Sequence, residues 1–354
     1  MSVLEKFREK FFEKFDGAAL VISKENRFYL TGFESSDGVV IVTKDKAYLL
    51  VDFRYFEIAQ KISVEFEVLL AKGSLLSMVS EIFEKERINN VIIEDDYITI
   101  LMYERLKKVL KNIQISNMGD FLSAMRAEKT ETEIQKIINA QKLTDAAFEH
   151  ILSVISKNMT ENDVALELDY FMRKNGAQES AFKTIAVSGA KSSLPHGEPE
   201  DIKLTENSFL TMDFGARLDG YCADMTRTIV IGKADEEMKH IYNVVLNAQL
   251  SALSKIKAGI CGDVVDEAAR GIITAEGFGD CFGHSTGHGL GIEVHEFPAY
   301  SPNFKKPIPE NAVLSIEPGI YIEGKYGVRI EDIAVVKKEN ALNLTRSDKK
   351  LIEI

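Results

Sequence analysis

The sequence predicts two domains, an α/β domain over residues 1–122 and an α+β domain over residues 123–354. Three observations predict this. The chain has 354 residues, enough for two cores at roughly 100–200 residues each. Up to about residue 110, short runs rich in Val, Ile and Leu alternate with stretches of helical apolar spacing. Beyond residue 122 the order changes to long amphipathic helices followed by a strand pair, and that order then recurs.

In the first domain GAALVIS, GVVIVT, AYLLVD, EFEVLLA and NNVIIE read as strands, with TKDK as a hairpin turn. RYFEIAQKI, SLLSMVSEIFEKE and ITILMYERLKKVL read as helices. NIQISNMGDFLSAMRAEKT breaks the pattern and places the junction near 122. The second domain opens on a long helix whose Thr130 and Glu133 have capping-box spacing. A further helix runs from Thr160 to a terminating Gly176. SFLTMDFGARLDGYCADMTRTIVIG then reads as two strands about a Leu-Asp-Gly turn. Two more helices follow, then a histidine-rich segment, then the strand pair AVLSIEPGIYIEGKYGVRIEDIAVV. The repeated order implies pseudo-two-fold symmetry.

Composition excludes several classes of function. A net charge of −12 without a long basic run argues against nucleic acid as a partner. No apolar run approaches the ~20 residues of a membrane span, and the charged N-terminus is neither a secretory signal nor a transit peptide. Cys222, Cys261 and Cys281 are widely spaced and form no CxxC pair, so buried reduced thiols in a cytoplasmic protein are expected.

The chemistry lies in the acids of the two hairpins. Asp213 and Asp224 fall inside apolar strand-like runs, where a carboxylate is costly to bury unless paired or metal-bound. With Asp219-Gly220 as a two-residue turn, Gly215 faces Asp224. Asp213 and Asp224 then share a face about 7–8 Å apart as diagonal neighbours. Glu317 and Glu331 are symmetric about Gly324 and would lie directly opposite, a repulsive pair that calls for positive charge between them. A pair of divalent ions satisfies this, and an oxygen-rich donor set with one imidazole suits Mn, Co, Fe or Zn. Asp219 and Asp332 read as turn or solvent-facing residues, and Arg227 or Arg329 could pair with a strand acid.

Three of the six histidines, His284, His288 and His295, fall in GHSTGHGLGIEVHE, a glycine-rich stretch unsuited to a helical HExxH site. On chemistry alone any of them could be the imidazole ligand, the others serving protons or substrate. His196 sits on a loop marked by Pro and Gly. His150 and His240 lie in amphipathic helices and read as structural or solvent-facing.

The segments LPHG, MDFGARLDGYCADMTRT, GHSTGHGLGIEVHE, IEPGIY and GVRIEDI, spanning residues 194–333, resemble the pita-bread metallopeptidases: aminopeptidase P, prolidase, methionine aminopeptidase and the metal-free creatinase. NRFYLTGF and LVDFRYFEIAQ resemble the creatinase/aminopeptidase P amino-terminal domain, which favours the proline-directed branch. The resemblance implies an α/β amino-terminal domain followed by an α+β pita-bread catalytic domain. It implies that Asp213 binds one metal, that Asp224 and Glu331 bridge two, and that His288 and Glu317 complete the second. His196 and His295 would line the substrate site, Arg329 would brace the acids or substrate, and His284 would support them. Glu317 would relay the proton, and His295 or His196 would hydrogen-bond the oxyanion. The implied activity is that of an Xaa-Pro aminopeptidase using two divalent ions, Mn or Co first and Zn or Fe next. An Xaa-Pro dipeptidase is the alternative. The implied partners are a peptide with proline at its second position and a second copy of the chain, as a homodimer whose amino-terminal domain helps enclose a neighbouring site. A non-catalytic binding module or a creatinase-like enzyme would be expected to lack ligands that this sequence keeps.

Overall fold

The computed structural model describes residues 2–354. The chain divides into two compact units, one ending at Arg126 and the other running Ala127–Ile354.

The first unit contains helices α1 (Val3–Lys14), α2 (Lys24–Thr31), α3 (Phe56–Ile62), α4 (Leu75–Lys85), α5 (Ile100–Val109) and α6 (Phe121–Ala127). Strands β1 (Ala18–Val21), β2 (Val39–Val42), β3 (Ala47–Val51), β4 (Glu67–Leu70), β5 (Asn90–Ile93) and β6 (Gln114–Asn117) form one mixed sheet in the order β4-β3-β2-β1-β5-β6. The central strands β1, β2 and β3 are buried at every position, which is why they read as continuous apolar runs. Helix α6 extends this unit past the expected junction at 122, because Phe121 packs edge-on against Phe7, Phe11 and Phe15. Helix α2 was not anticipated. Its buried face carries Arg27 and Thr31, which hide the apolar period, and the Arg27 guanidinium donates to the Ser35 hydroxyl and carbonyl.

The second unit opens with α7 (Glu131–Val154) and α8 (Glu161–Lys174), capped by Thr130 and Thr160, each in a reciprocal capping box. Short β7 (Glu179–Ser180) and β8 (Ile185–Ser188) lead to β9 (Ser208–Phe214), β10 (Ala216–Leu218), β11 (Tyr221–Cys222) and β12 (Met225–Ile231). Asp219 and Gly220 both have positive φ, as a two-residue hairpin turn matched to strand twist requires. Helices α9 (Glu236–Lys255) and α10 (Gly262–Ala275) follow, then β13 (Gly287–Gly289), β14 (Glu296–Tyr300), β15 (Val313–Ile316), β16 (Gly319–Ile322), β17 (Tyr326–Arg329), β18 (Asp332–Val336) and β19 (Ala341–Asn343). Each helix pair covers a hairpin with its own core. Phe148, Leu168 and Met172 pack with Met212 and Phe214; Val245, Val265 and Ile273 pack with Leu314 and Val328. This repetition is the pita-bread architecture.

Three sequence expectations are corrected here. Asp332 is fully buried, not solvent-facing. Arg227 reaches its Oδ1 at 2.8 Å, while Gln249, Asn343 and Lys349 donate to Oδ2. Of the cysteines only Cys222 is fully buried, and Cys261 and Cys281 are half-buried. The hairpins also do not run as unbroken strands. No described helix is long and apolar enough to cross a membrane.

Candidate metal centre

Three of the four acids, Asp224, Glu317 and Glu331, sit at the strand breaks. In the first hairpin Arg217 pairs with Cys222 and Asp213 with Thr226, one register with no shift between them, so Gly215 and Asp224 stand opposite as the turn predicts. The two backbones approach so closely there that a Cβ at Gly215 would collide with the Ala223 carbonyl oxygen, so the position needs glycine. Asp213 lies within β9, and Asp224 immediately precedes β12. In the second hairpin Gly319 pairs with Arg329 and Ile316 with Asp332, again one register, which leaves Glu317 and Glu331 directly opposed in the gap between the two ladders. A gap frees the side chains from sheet packing, so the carboxylates can converge.

Between the hairpins β13 carries His288. Its Nδ1 lies 3.1 Å from the Gly289 carbonyl, which fixes the proton on that nitrogen and turns Nε2 toward the acids. Nε2 lies 3.2 Å from Glu317 Oε1 and 3.7 Å from Asp224 Oδ2. The donor atoms of Asp224, His288 and Glu331 all lie within 4.8 Å of one another. The Arg329 guanidinium braces the cluster from one side. It donates to Asp213 Oδ2 at 2.7 Å, to the Thr226 hydroxyl at 3.0 Å and to the Tyr321 hydroxyl at 2.8 Å. Thr226 in turn donates to Glu331 Oε2 at 2.7 Å.

The electrostatics show a surplus of negative charge. Burial pushes the Asp224 and Glu331 carboxyls well above their ordinary range, and the neighbouring acids push them further. Burial also raises Asp213, against the pull of Arg329. Burial raises Glu317 too, but His288, His284 and Arg329 outweigh it and hold this carboxyl down at about 2. One guanidinium and one imidazole do not balance four carboxylates. Asp213 Oδ1, Asp224 Oδ1 and Glu331 Oε1 are buried with no hydrogen-bond partner. Buried lone pairs without partners, in a cavity wall shared by these acids, are what a cation would satisfy. The residues therefore fit a divalent metal centre.

The acids, His196, His284, His288, His295 and Arg329 line one cavity of about 540 Å³, with Phe182, Ile185 and Val294 among its apolar walls. The His288 and His295 rings lie 4.1 Å apart. His284 Nε2 lies 2.9 Å from the Tyr321 hydroxyl, at the back of Arg329. His150 and His240 lie elsewhere, on α7 and α9, beside Glu167 and Glu276. Cys222 is buried, is not among the side chains that line this cavity and donates to the Ile292 carbonyl, and burial pushes its thiol up to about 12. Thr226 and Tyr321 were missed from the sequence; the signal for both was their period-two spacing from Asp224 and Gly319 on strands already assigned to the site.

The profile of metallopeptidase family M24 matches residues 135–338, and that of the creatinase/prolidase N-terminal domain matches residues 4–128. The chain belongs to metallopeptidase family M24 and is a hydrolase. It is 38% identical to the uncharacterized peptidase YqhT of Bacillus subtilis over 99% of both chains. Among solved structures, the Xaa-Pro dipeptidase from Bacillus anthracis is 38% identical over 99% of both chains, with a TM-score of 0.96. The X-Pro aminopeptidase from Thermotoga maritima is 34% identical over 98% of this chain and 99% of its own, with a TM-score of 0.92.

Proposed function

We propose that the chain is an Xaa-Pro dipeptidase, the alternative to the aminopeptidase first expected. The observation that carries a metallopeptidase site is the set of partnerless buried oxygens on Asp213, Asp224 and Glu331, residues that line one cavity of about 540 Å³. The dipeptidase assignment is supported by the greater similarity to the Bacillus anthracis enzyme than to the Thermotoga maritima aminopeptidase.

Asp213, Asp224, His288, Glu317 and Glu331 would hold two divalent ions, with Mn or Co the first expectation for this donor set and Zn or Fe next. The chemistry supplied there would be Lewis acidity toward water and the scissile carbonyl. The protein's own residues do the rest. The substrate's free α-amine meets the acidic cluster, which restricts cleavage to the first residue. Glu317, hydrogen-bonded by Ser315 at 2.9 Å, carries the proton from water to the leaving nitrogen. His196 and His295, on the cavity wall, donate to the oxyanion that develops on the carbonyl. Arg329 holds Asp213 in place and screens its charge. A homodimer and a cytoplasmic location belong to the same proposal.

The test is hydrolysis by Mn- or Co-loaded protein of an Xaa-Pro dipeptide against an Xaa-Pro-Yaa tripeptide. Cleavage of the dipeptide with little of the tripeptide is expected. Efficient tripeptide cleavage with an intact dipeptide would return the assignment to an aminopeptidase.

A further inference from the structure

Two lining side chains of the cavity carry permanent positive charge, Arg329 and Lys183. Arg329 is committed. Its three guanidinium nitrogens serve Asp213, Thr226, Tyr321 and the Pro195 carbonyl. Lys183 is held differently. Its ammonium meets Glu198 at 2.8 Å, and the two side chains are 69% and 71% exposed. An ion pair so open to water is weak, and another carboxylate can replace its acid partner at small cost.

Position makes the exchange specific. Lys183 lies two residues before Ile185, and Ile185 pairs directly with Asp213 on the neighbouring strand. Glu198 lies two residues after His196, on the other segment that lines the same cavity. Lys183 and Glu198 thus line the same cavity as the acid cluster, so a dipeptide whose amine faces the acids meets an ammonium within that cavity.

We propose that Lys183 receives the C-terminal carboxylate of a two-residue substrate, in place of the carboxylate of Glu198, and so selects substrate length. The inference rests on the dipeptidase reading and deepens it. In a tripeptide the same position holds a neutral peptide group, which cannot replace a carboxylate beside an ammonium. The Lys183–Glu198 pair keeps the lysine's charge satisfied while the cavity is empty of substrate, and Glu198 competes with what binds.

The experiment compares an Xaa-Pro dipeptide with its C-terminal amide, in the metal-loaded wild-type protein and in K183M and E198Q. The wild type is expected to favour the free acid. In K183M the KM for the acid should rise about ten-fold, or about 1.4 kcal/mol, while the KM for the amide stays within about two-fold. In E198Q the KM for the acid should fall. The amide also reports folding, since a damaged site would lose both substrates. Equal shifts for acid and amide, no shift in K183M, or a wild type indifferent to the carboxylate would each overturn the role of Lys183 and leave a dipeptidase standing. A wild type that cleaves tripeptides and spares the dipeptide would overturn the reading beneath it.

Discussion

Asp266 receives both the backbone N–H and the hydroxyl of Thr286, at 3.0 and 2.9 Å. Asp266 is buried on α10 and is itself clamped by Arg270, whose guanidinium also donates to the carbonyls of Phe282 and His284. The Thr286 carbonyl then accepts from the backbone N–H of Glu317. One carboxylate on a helix thus orients the segment leading to His288 and the start of the Glu317 gap. Supports of this kind commonly alter metal affinity by 10–100-fold. D266N is expected to weaken Mn binding by about ten-fold, read by competition with a metal indicator, with folded protein verified by circular dichroism.

Asp224 and Glu331 are two of the acids that burial and mutual repulsion penalise most in the absence of metal. E331Q removes one buried charge while keeping the shape. The metal-free variant is expected to melt higher than metal-free wild type, by about 2–4 °C for each kcal/mol relieved. Added Mn should raise the Tm of the wild type and leave that of the variant nearly unchanged. Calorimetry of both proteins after chelation checks this, and a lower metal-free Tm in E331Q would contradict it.

The same charges predict a pH dependence of the metal-free protein. The folded-state pKa values of Asp224, Glu331 and Asp213 lie above their unfolded values. The folded state therefore binds more protons, and these groups favour folding fully below the ordinary carboxylate range near pH 4. That contribution is lost as pH rises through the raised folded values. Between mildly acidic and mildly alkaline pH, the metal-free Tm should fall as pH rises, and bound metal should reduce the fall. Glu317 works in the opposite sense but with its change far below this window, near 2.

Arg227 and Asp332 form an ion pair in which both residues are almost wholly inaccessible. Arg227 also donates to the carbonyls of Thr226, Glu331, Ser347 and Asp348. The guanidinium and the Lys349 ammonium hold Asp332 below the usual carboxylate range in spite of its burial. Removing one partner leaves an uncompensated buried charge. R227M should cost about 3–5 kcal/mol in denaturant unfolding. In R227M/D332N the loss should be smaller than in R227M alone, because no lone carboxylate is left behind.

Gly215 and Gly287 are needed for room. A Cβ at Gly215 would strike the Ala223 carbonyl, and one at Gly287 would strike that of Ser315. Both neighbours adjoin the site, next to Asp224 and two residues before Glu317. G215A should displace Asp224 and abolish tight metal binding, while G271A, on α10 with only the Glu267 side chain nearby, should leave it intact. Titration calorimetry of the two variants separates these outcomes.

Much of this was legible in the chain because it depends on near neighbours. Thr130 and Thr160 start their helices through side chains three residues on. Asp219-Gly220 and Gly324 set the registers of both hairpins. Period-two arithmetic then places Asp224 opposite Gly215 and Glu317 opposite Glu331 without reference to the rest of the molecule. Helix α2 was not legible, because its buried arginine and threonine break the apolar period that announces a helix.

The sequence by itself determined the helices and strands that carry the acids, their register, and the donor types that meet. Tertiary structure decided the fate of each charge. It sank Asp332 against an arginine 105 positions away, opened both ladders at the acids, turned Nε2 of His288 toward them, and set Lys183 on the cavity wall. The physical reason is range. Backbone pairing follows from the residues beside a turn, whereas the cost of a buried charge depends on which distant groups packing brings within a few ångströms of it.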